Sequence, residues 1–283
     1  MIIVPEITIE RIAVAEGHGE SLRDLALKAA VDATSAPEPR TPNPEPRTTN
    51  HDIGGVIVAT FSNERRFPAL AVEIASALGF SPSAPAFDLQ LACSAYPYAL
   101  YLAGRMSTDT GRKVLIIDGD VQSRLVDKND HDTGSIFSDA VTATVVQSAL
   151  LFGESSRFEF CNRFDDEPLS CNESGPIKMK GFDVFSFVAT DVLNFLKEFL
   201  LSKPGFEFFV PHQANPYMVR QLAKSLGLSE RLLTLDESKK NPGSCSIPMT
   251  LAAHPECRGK RVLLAGFGAG FSAAAAVVKM GKM

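Results

Sequence analysis

The sequence predicts an α/β fold built from two similar halves. Short apolar runs at Val56–Thr60, Val114–Ile117, Phe208–Val210 and Val262–Leu264 have the length and content of buried strands. Helical stretches separate the strands in both halves, and strands alternating with helices are the pattern of α/β proteins. The chain's 283 residues suit one large domain or two moderate ones sharing an interface. No strong internal sequence repeat accompanies the pattern.

The elements follow in order. Residues 21–33 read as a helix with Leu22, Leu25, Ala26, Ala29 and Val31 at its apolar positions. A loop over 34–52 carries Pro37, Pro39, Pro42, Pro44 and Pro46, too much proline for regular structure. The run Val56–Thr60 is a strand, and a helix from Pro68 to Leu78 stops at Gly79. Ala86–Leu89 leads to Cys93, which opens a helical stretch reaching about Met106. Strands follow at Val114–Ile117 and Ala143–Val146. In the second half, Val184–Leu201 reads as one long helix. Phe208–Val210 is a strand running into His212. Asn215-Pro216 supplies a cap and a first-turn proline for the next helix, which Gly227 closes. Val262–Leu264 and Ala274–Val278 are strands flanking a glycine turn. Met1–Glu6 is expected to stand in place of a missing first strand.

Composition excludes several classes. A net charge of −5 argues against nucleic acid as the main partner, because phosphate binding needs a basic surface. There is no apolar stretch long enough for a membrane span and no signal-peptide pattern. The five cysteines are odd in number and lack a C-x-x-C pair, which points to a reduced, cytoplasmic setting. Metal-ligand spacings of the H-E-x-x-H or EF-hand type are absent, so no metal is expected. Asp236-Glu237 and the run 127–132 read as solvated loops.

Candidate chemistry falls at four places. Cys93 follows a strand and opens a helix, where unpaired N–H groups and the dipole favour a thiolate nucleophile. A buried structural cysteine is the plainer alternative. Pro97, a turn later, leaves one early carbonyl without its helical partner. His212 ends an apolar strand and feeds a capped helix, a position where α/β proteins place working side chains. Asn241 begins a loop rich in proline, glycine and serine, and its amide could donate to a developing oxyanion. Gly266-Phe267-Gly268-Ala269-Gly270 lies between two strands, either a plain turn or a backbone-amide oxyanion site. Its spacing does not fit a dinucleotide loop.

Taken together, these segments resemble one family. Phe87-Asp88-Leu89-Gln90-Leu91-Ala92-Cys93-Ser94-Ala95 resembles the nucleophile segment of the β-ketoacyl-acyl-carrier-protein synthase III branch of the thiolase-like superfamily. Val210-Pro211-His212-Gln213-Ala214-Asn215 matches its histidine motif. Asn241-Pro242-Gly243-Ser244-Cys245-Ser246-Ile247-Pro248 resembles its asparagine motif, and Phe267-Gly268-Ala269-Gly270-Phe271 its glycine turn. Similarity runs from about Ile9 to Val278.

The resemblance implies a thiolase-like five-layered αβαβα fold from two related halves, 1–152 with Cys93 and 153–283 with His212 and Asn241. It implies a cytoplasmic homodimer that works with acyl carrier protein and needs no cofactor. Cys93 would take an acyl group from a thioester, with the N–H groups of Cys93 and Ala269 holding the oxyanion. His212 and Asn241 would stabilise the enolate formed as a malonyl thioester loses carbon dioxide. Phe67, Tyr96 and Phe267 are expected at the acyl pocket, with Phe67 closing the pocket across a subunit boundary.

The family's coenzyme A clasp uses a tryptophan and an arginine. This chain has no Trp, and the arginine position falls near Pro5. Tyr217 replaces an arginine that meets the carrier protein, so Arg220 and Lys224 are expected to serve there. Acyl transfer from Cys93 to an oxygen or nitrogen nucleophile, and a non-catalytic half of a heterodimer, stay open as alternatives.

Overall fold

A computed structural model describes residues 1–35, 52–130, 133–149, 154–172 and 175–282. The elements in order are β1 (Ile2–Glu16), α1 (Leu22–Thr34), β2 (Ile53–Ala59), α2 (Leu70–Ala77), β3 (Ala86–Leu89), α3 (Ala95–Thr110), β4 (Lys113–Asp120), β5 (Ala140–Ala149) and β6 (Ser155–Asp165). A small antiparallel pair, β7 (Leu169–Ser170) and β8 (Lys178–Met179), precedes α4 (Gly181–Phe187) and α5 (Leu193–Leu201). Then come β9 (Phe208–Pro211), α6 (Pro216–Ser225), α7 (Ser246–Ala253), β10 (Arg261–Gly268) and β11 (Gly270–Met280).

Nine strands line up in the order β3-β2-β4-β5-β1-β6-β11-β10-β9. The same arrangement occurs twice. β2 runs parallel to β4, β4 antiparallel to β5, and β5 antiparallel to β1. Likewise β9 runs parallel to β10, β10 antiparallel to β11, and β11 antiparallel to β6. The place that β3 takes beside β2 is taken beside β9 by Leu232, a single parallel bridge to Phe209. The repeat that the sequence hides is thus plain in the strand pairing. β1 and β6 join the two sets through Ile2–Pro5 and Ser155–Phe158.

Alternate side chains of each strand serve different layers. Val56, Val58, Leu115 and Ile117 pack outward under α1 and α2, while Ile57, Val114 and Ile116 face inward. In the second set, Leu263 and Ala265 pack outward under α5 and α6, while Val262 and Leu264 face inward. The central layer is filled by Tyr96, Ala99 and Leu100 of α3 and by Ile247 and Leu251 of α7. The order is helix, sheet, helix, sheet, helix. Both faces of these strands are covered, which is why they read as unbroken apolar runs.

The structure revises some sequence expectations. Residues 2–16, far from replacing a missing strand, form β1, which pairs with β5, β6 and β11. Its charged residues disguise it. Glu6 is buried and is met by Arg261 and Lys279 from β10 and β11. The long helix expected from Val184 is two α-helices joined by a wider turn over Val188–Val192. The helix after Cys93 starts at Ala95 and runs on to Thr110, four residues past Met106. Pro97 therefore lies in its first turn, where a missing N–H costs little. Thr34 belongs to α1, and the proline-rich segment 36–51 lies outside the described residues.

Candidate active site

Cys93 sits in the middle of a single tight turn, Ala92–Ser94, between β3 and α3. The turn lies flat against β10. A Cβ on Gly268 would stand 2.8 Å from Cys93 Cβ, and one on Gly266 would stand 3.0 Å from Pro97 Cδ and 3.1 Å from Ser94 Cα. Only residues without a side chain allow so close an approach. Ser94 Oγ and Ser272 Oγ, 2.5 Å apart, tie the same turn to β11.

His212 follows β9, and its N–H donates to Ala265 O of β10 at 2.8 Å. Its ring meets the Phe267 ring edge-on, with centroids 5.5 Å apart. Phe267 and Gly268 are consecutive, so one stretch of β10 carries the histidine on one residue and the cysteine on the next. Asn215 caps α6 by accepting from the N–H groups of Tyr217 and Met218, which fixes where the chain turns after His212.

Asn241 is held by the N-terminal half. Its N–H donates to Ile136 O at 3.0 Å, and its carbonyl accepts from Ser138 N at 3.1 Å and Gln122 Nε2 at 3.1 Å. Its side-chain Oδ1 accepts from Gly243 N at 2.9 Å. The turn that follows runs into α7, where Ser246 Oγ stands 2.8 Å from His212 Nδ1. The three motifs thus meet at one end of β10 through named contacts.

Burial governs the electrostatics. It pushes the Cys93 thiol up to about 12, with the nearby Asp120 and Asp118 carboxyls adding to the rise. The expectation that a helix start would ease ionisation is therefore corrected. The resting group is a neutral thiol, because the turn is buried and precedes α3. Burial also holds His212 down to about 4, partly offset by a hydrogen bond with the Gly243 backbone. Cysteine and histidine are both neutral at pH 7.

A cavity of about 220 Å³ opens beside Asn241, with Gln213, Ala214, Asn215 and Arg220 on its wall. Asp236 and Glu237, exposed as the sequence suggested, also line it. Arg220 pairs with Glu237 at 2.9 Å. Lys224, one turn further along α6, is exposed and off the cavity wall. Tyr96 is wholly buried in the central layer, its hydroxyl 3.2 Å from Thr144 Oγ1. Phe267 is buried against His212, whereas Phe67 is 83% exposed. Ala269 occupies the turn between β10 and β11. Three-residue groups able to hold a metal ion are absent among the described residues.

The sequence reading missed Gln122 and Asp118, which touch the Asn241 turn from β4 and the turn after it. The side-chain roles of Ser244 and Ser246 were missed too, although both lie inside the quoted asparagine motif.

Comparison with known proteins shows the family. The family models for 3-oxoacyl-[acyl-carrier-protein] synthase III match residues 87–160, and for its C-terminal part residues 199–280. Together they cover more than half of the chain. It belongs to the 3-oxoacyl-[acyl-carrier-protein] synthase III family. The β-ketoacyl-[acyl-carrier-protein] synthase III of Methylococcus capsulatus is 31% identical, over 95% of this chain and 86% of that one. The solved synthase III of Thermus thermophilus superimposes with a TM-score of 0.79 at 29% identity, covering 94% of this chain and 87% of that one. That of Pseudomonas aeruginosa gives 0.85 at 20% identity over 98% and 99%, a likeness of fold alone. The fold of this synthase III family member is thiolase-like, and the chain is an acyltransferase of the condensing type.

Proposed function

We propose that this synthase III family member forms an acyl thioester on Cys93 and condenses it with a malonyl thioester. The observation that carries the reading is the meeting of Cys93, His212 and Asn241 at the end of β10. In the first step Cys93 Sγ bonds to the primer's carbonyl carbon. The bond to the carrier sulfur breaks, and the thiol proton leaves with the carrier. The N–H groups of Cys93 and Ala269 hold the oxyanion. Because the resting thiol is neutral, its proton must depart as the sulfur attacks, and the leaving carrier thiolate takes it up.

In the second step the malonyl carboxylate leaves as carbon dioxide, and its electron pair forms an enolate. Ser246 Oγ already accepts the Gln213 N–H at 3.1 Å, so its own hydrogen can go to His212 Nδ1. With Ser246 donating in this way, the ring hydrogen is on Nε2. Asn241 Oδ1 is committed to Gly243 N, which leaves Nδ2 to donate. The two donors stabilise the enolate oxygen, the enolate carbon attacks the acyl carbonyl, and Cys93 leaves as thiolate. The chemistry uses only the thioester and the departing carbon dioxide, so it needs no metal or redox cofactor.

The cavity beside Asn241, with Arg220 on its wall, supports acyl carrier protein as the partner that delivers substrate. Lys224 lies further along the same face. Tyr96 and Phe267 are proposed to bound the acyl pocket from inside. Exposed Phe67 supports a homodimer in which it closes the partner's pocket. The chain is taken as two halves, 1–152 and 153–283, whose boundary falls on residues 150–153, outside the described residues. Five free cysteines support a cytoplasmic setting. Among the described residues, no helix is long and apolar enough to cross a membrane.

The test is intact mass after incubation with acyl-coenzyme A and, separately, acyl carrier protein, for the native chain and Cys93→Ala. One acyl adduct is expected on the native chain and none on the variant, followed by carbon dioxide release when malonyl thioester is added. Folded native protein that takes no adduct from any primer overturns the reading. An adduct that moves on without carbon dioxide release points instead to simple acyl transfer.

A further inference from the structure

Behind the Asn241 turn lies a carboxyl that no step above uses. Asp118, near the end of β4, is fully buried. Its Oδ1 accepts a hydrogen bond from Ser244 Oγ, and its Oδ2 has no partner among the described residues. No lysine or arginine among the described residues pairs with it, and the charged group that acts on it is Asp120, itself buried with an unpartnered Oδ2. An ionised carboxylate in such a place is costly. Burial raises its pKa well above the usual carboxylate range, with Asp120 adding to the rise and the Ser244 hydrogen bond opposing it.

Ser244 is the middle residue of the turn Gly243–Cys245. That turn gives the Gly243 N–H to Asn241 Oδ1 at 2.9 Å. Gly243 has a φ of +72° and rests on the Gln122 side chain, 3.4 Å from where a Cβ would be. Two groups from the N-terminal half therefore pin the turn. Gln122 holds the Asn241 backbone, and Asp118 holds Ser244. The Cys93 turn is seated against Gly266 and Gly268 of β10 and also lies beside the Gly243–Cys245 turn.

We propose that Asp118 is a positioning residue for the condensation step, and that through Ser244 it sets the turn that aims the Asn241 amide at the substrate carbonyl. This rests on the roles proposed above for Cys93 and Asn241.

The two steps use different groups, Cys93 for adduct formation and Asn241 for condensation, and that gives the test. The full chain is prepared as native protein, Asp118→Ala, Asp118→Asn and Ser244→Ala. Two rates are followed, adduct formation on Cys93 and carbon dioxide release from malonyl thioester by pre-acylated enzyme. Asp118→Ala and Ser244→Ala are expected to slow carbon dioxide release about 10- to 100-fold, the range set by loss of a buried hydrogen bond. Adduct formation stays near the native rate. Asp118→Asn, a permanently neutral isostere, restores most of the lost condensation.

An equal fall in both rates, as partial unfolding gives, overturns the inference. So does unchanged condensation, or an asparagine variant no better than the alanine one. If Asp118→Ala does not fold, Ser244→Ala tests the same bond from its other end. A native protein that forms no adduct at all removes the underlying reading and this inference with it, an outcome visible before any Asp118 variant is compared.

Discussion

Ser246 Oγ stands 2.8 Å from His212 Nδ1 and accepts the Gln213 N–H at 3.1 Å. One hydroxyl thus joins the asparagine segment to the histidine segment and orients the imidazole. Ser246→Ala leaves two buried polar groups without a partner. Stability should fall by about 1–3 kcal/mol, read by denaturant unfolding. Carbon dioxide release by pre-acylated enzyme should fall on the order of ten-fold.

His212 and Asn241 are assigned to the enolate, so their loss should separate the two steps. His212→Ala and Asn241→Ala should each lower condensation about 100- to 1000-fold. Both should still take an acyl adduct on Cys93. An Asn241→Ala protein that condenses at the native rate would remove that residue from the mechanism.

The buried imidazole also sets a pH dependence of stability. Its folded pKa is about 4 and its ordinary value 6.5, so the unfolded chain binds the proton first as pH falls. The contribution is fully present above 6.5 and is lost as pH drops from there toward 4. A shift of that size amounts to about 3 kcal/mol. His212→Gln should flatten this part of the stability profile, measured by urea unfolding between pH 4 and 7. For Cys93 the sign is opposite in use. Its thiol titrates at about 12, so adduct formation should keep rising with pH through the neutral range.

Gly268→Ala tests the close approach of the nucleophile turn to β10. The added Cβ would lie 2.8 Å from Cys93 Cβ, and the opposing atoms belong to the turn itself. Overpacking of this kind costs about 1–3 kcal/mol. Adduct formation should slow more than carbon dioxide release by enzyme already acylated.

Arg220 and Lys224 differ in place, and should differ in effect. Arg220 lines the cavity, whereas Lys224 does not. Arg220→Ala should raise KM for carrier-borne substrate, and more so at low salt, while Lys224→Ala has the smaller effect. The Arg220–Glu237 pair is exposed, so its loss should change stability by no more than about 1 kcal/mol.

Much of this was legible in the chain. Strands covered on both faces announce themselves as apolar runs, as Val114–Ile117 and Val262–Leu264 do. Asn215-Pro216 marks a helix start because cap and first-turn proline are local chemistry. β1 was not legible. Its Glu6 is buried only because Arg261 and Lys279 arrive from strands more than 250 residues away to meet it. The repeat of the strand order was hidden for a similar reason, since pairing conserves geometry and leaves side chains free to differ.

By itself, the sequence determined the alternation of strands and helices, the residue types at Cys93, His212 and Asn241, and the glycines of the 266–270 turn. Local propensity and residue chemistry are written along the chain and need no distant partner. Only the tertiary structure decided the ionisation of the site and the company it keeps. Burial, which sums over many elements, left both the thiol and the imidazole neutral. Long-range packing brought Asp118, Gln122 and Ser246 to bear on side chains that lie far from them in sequence.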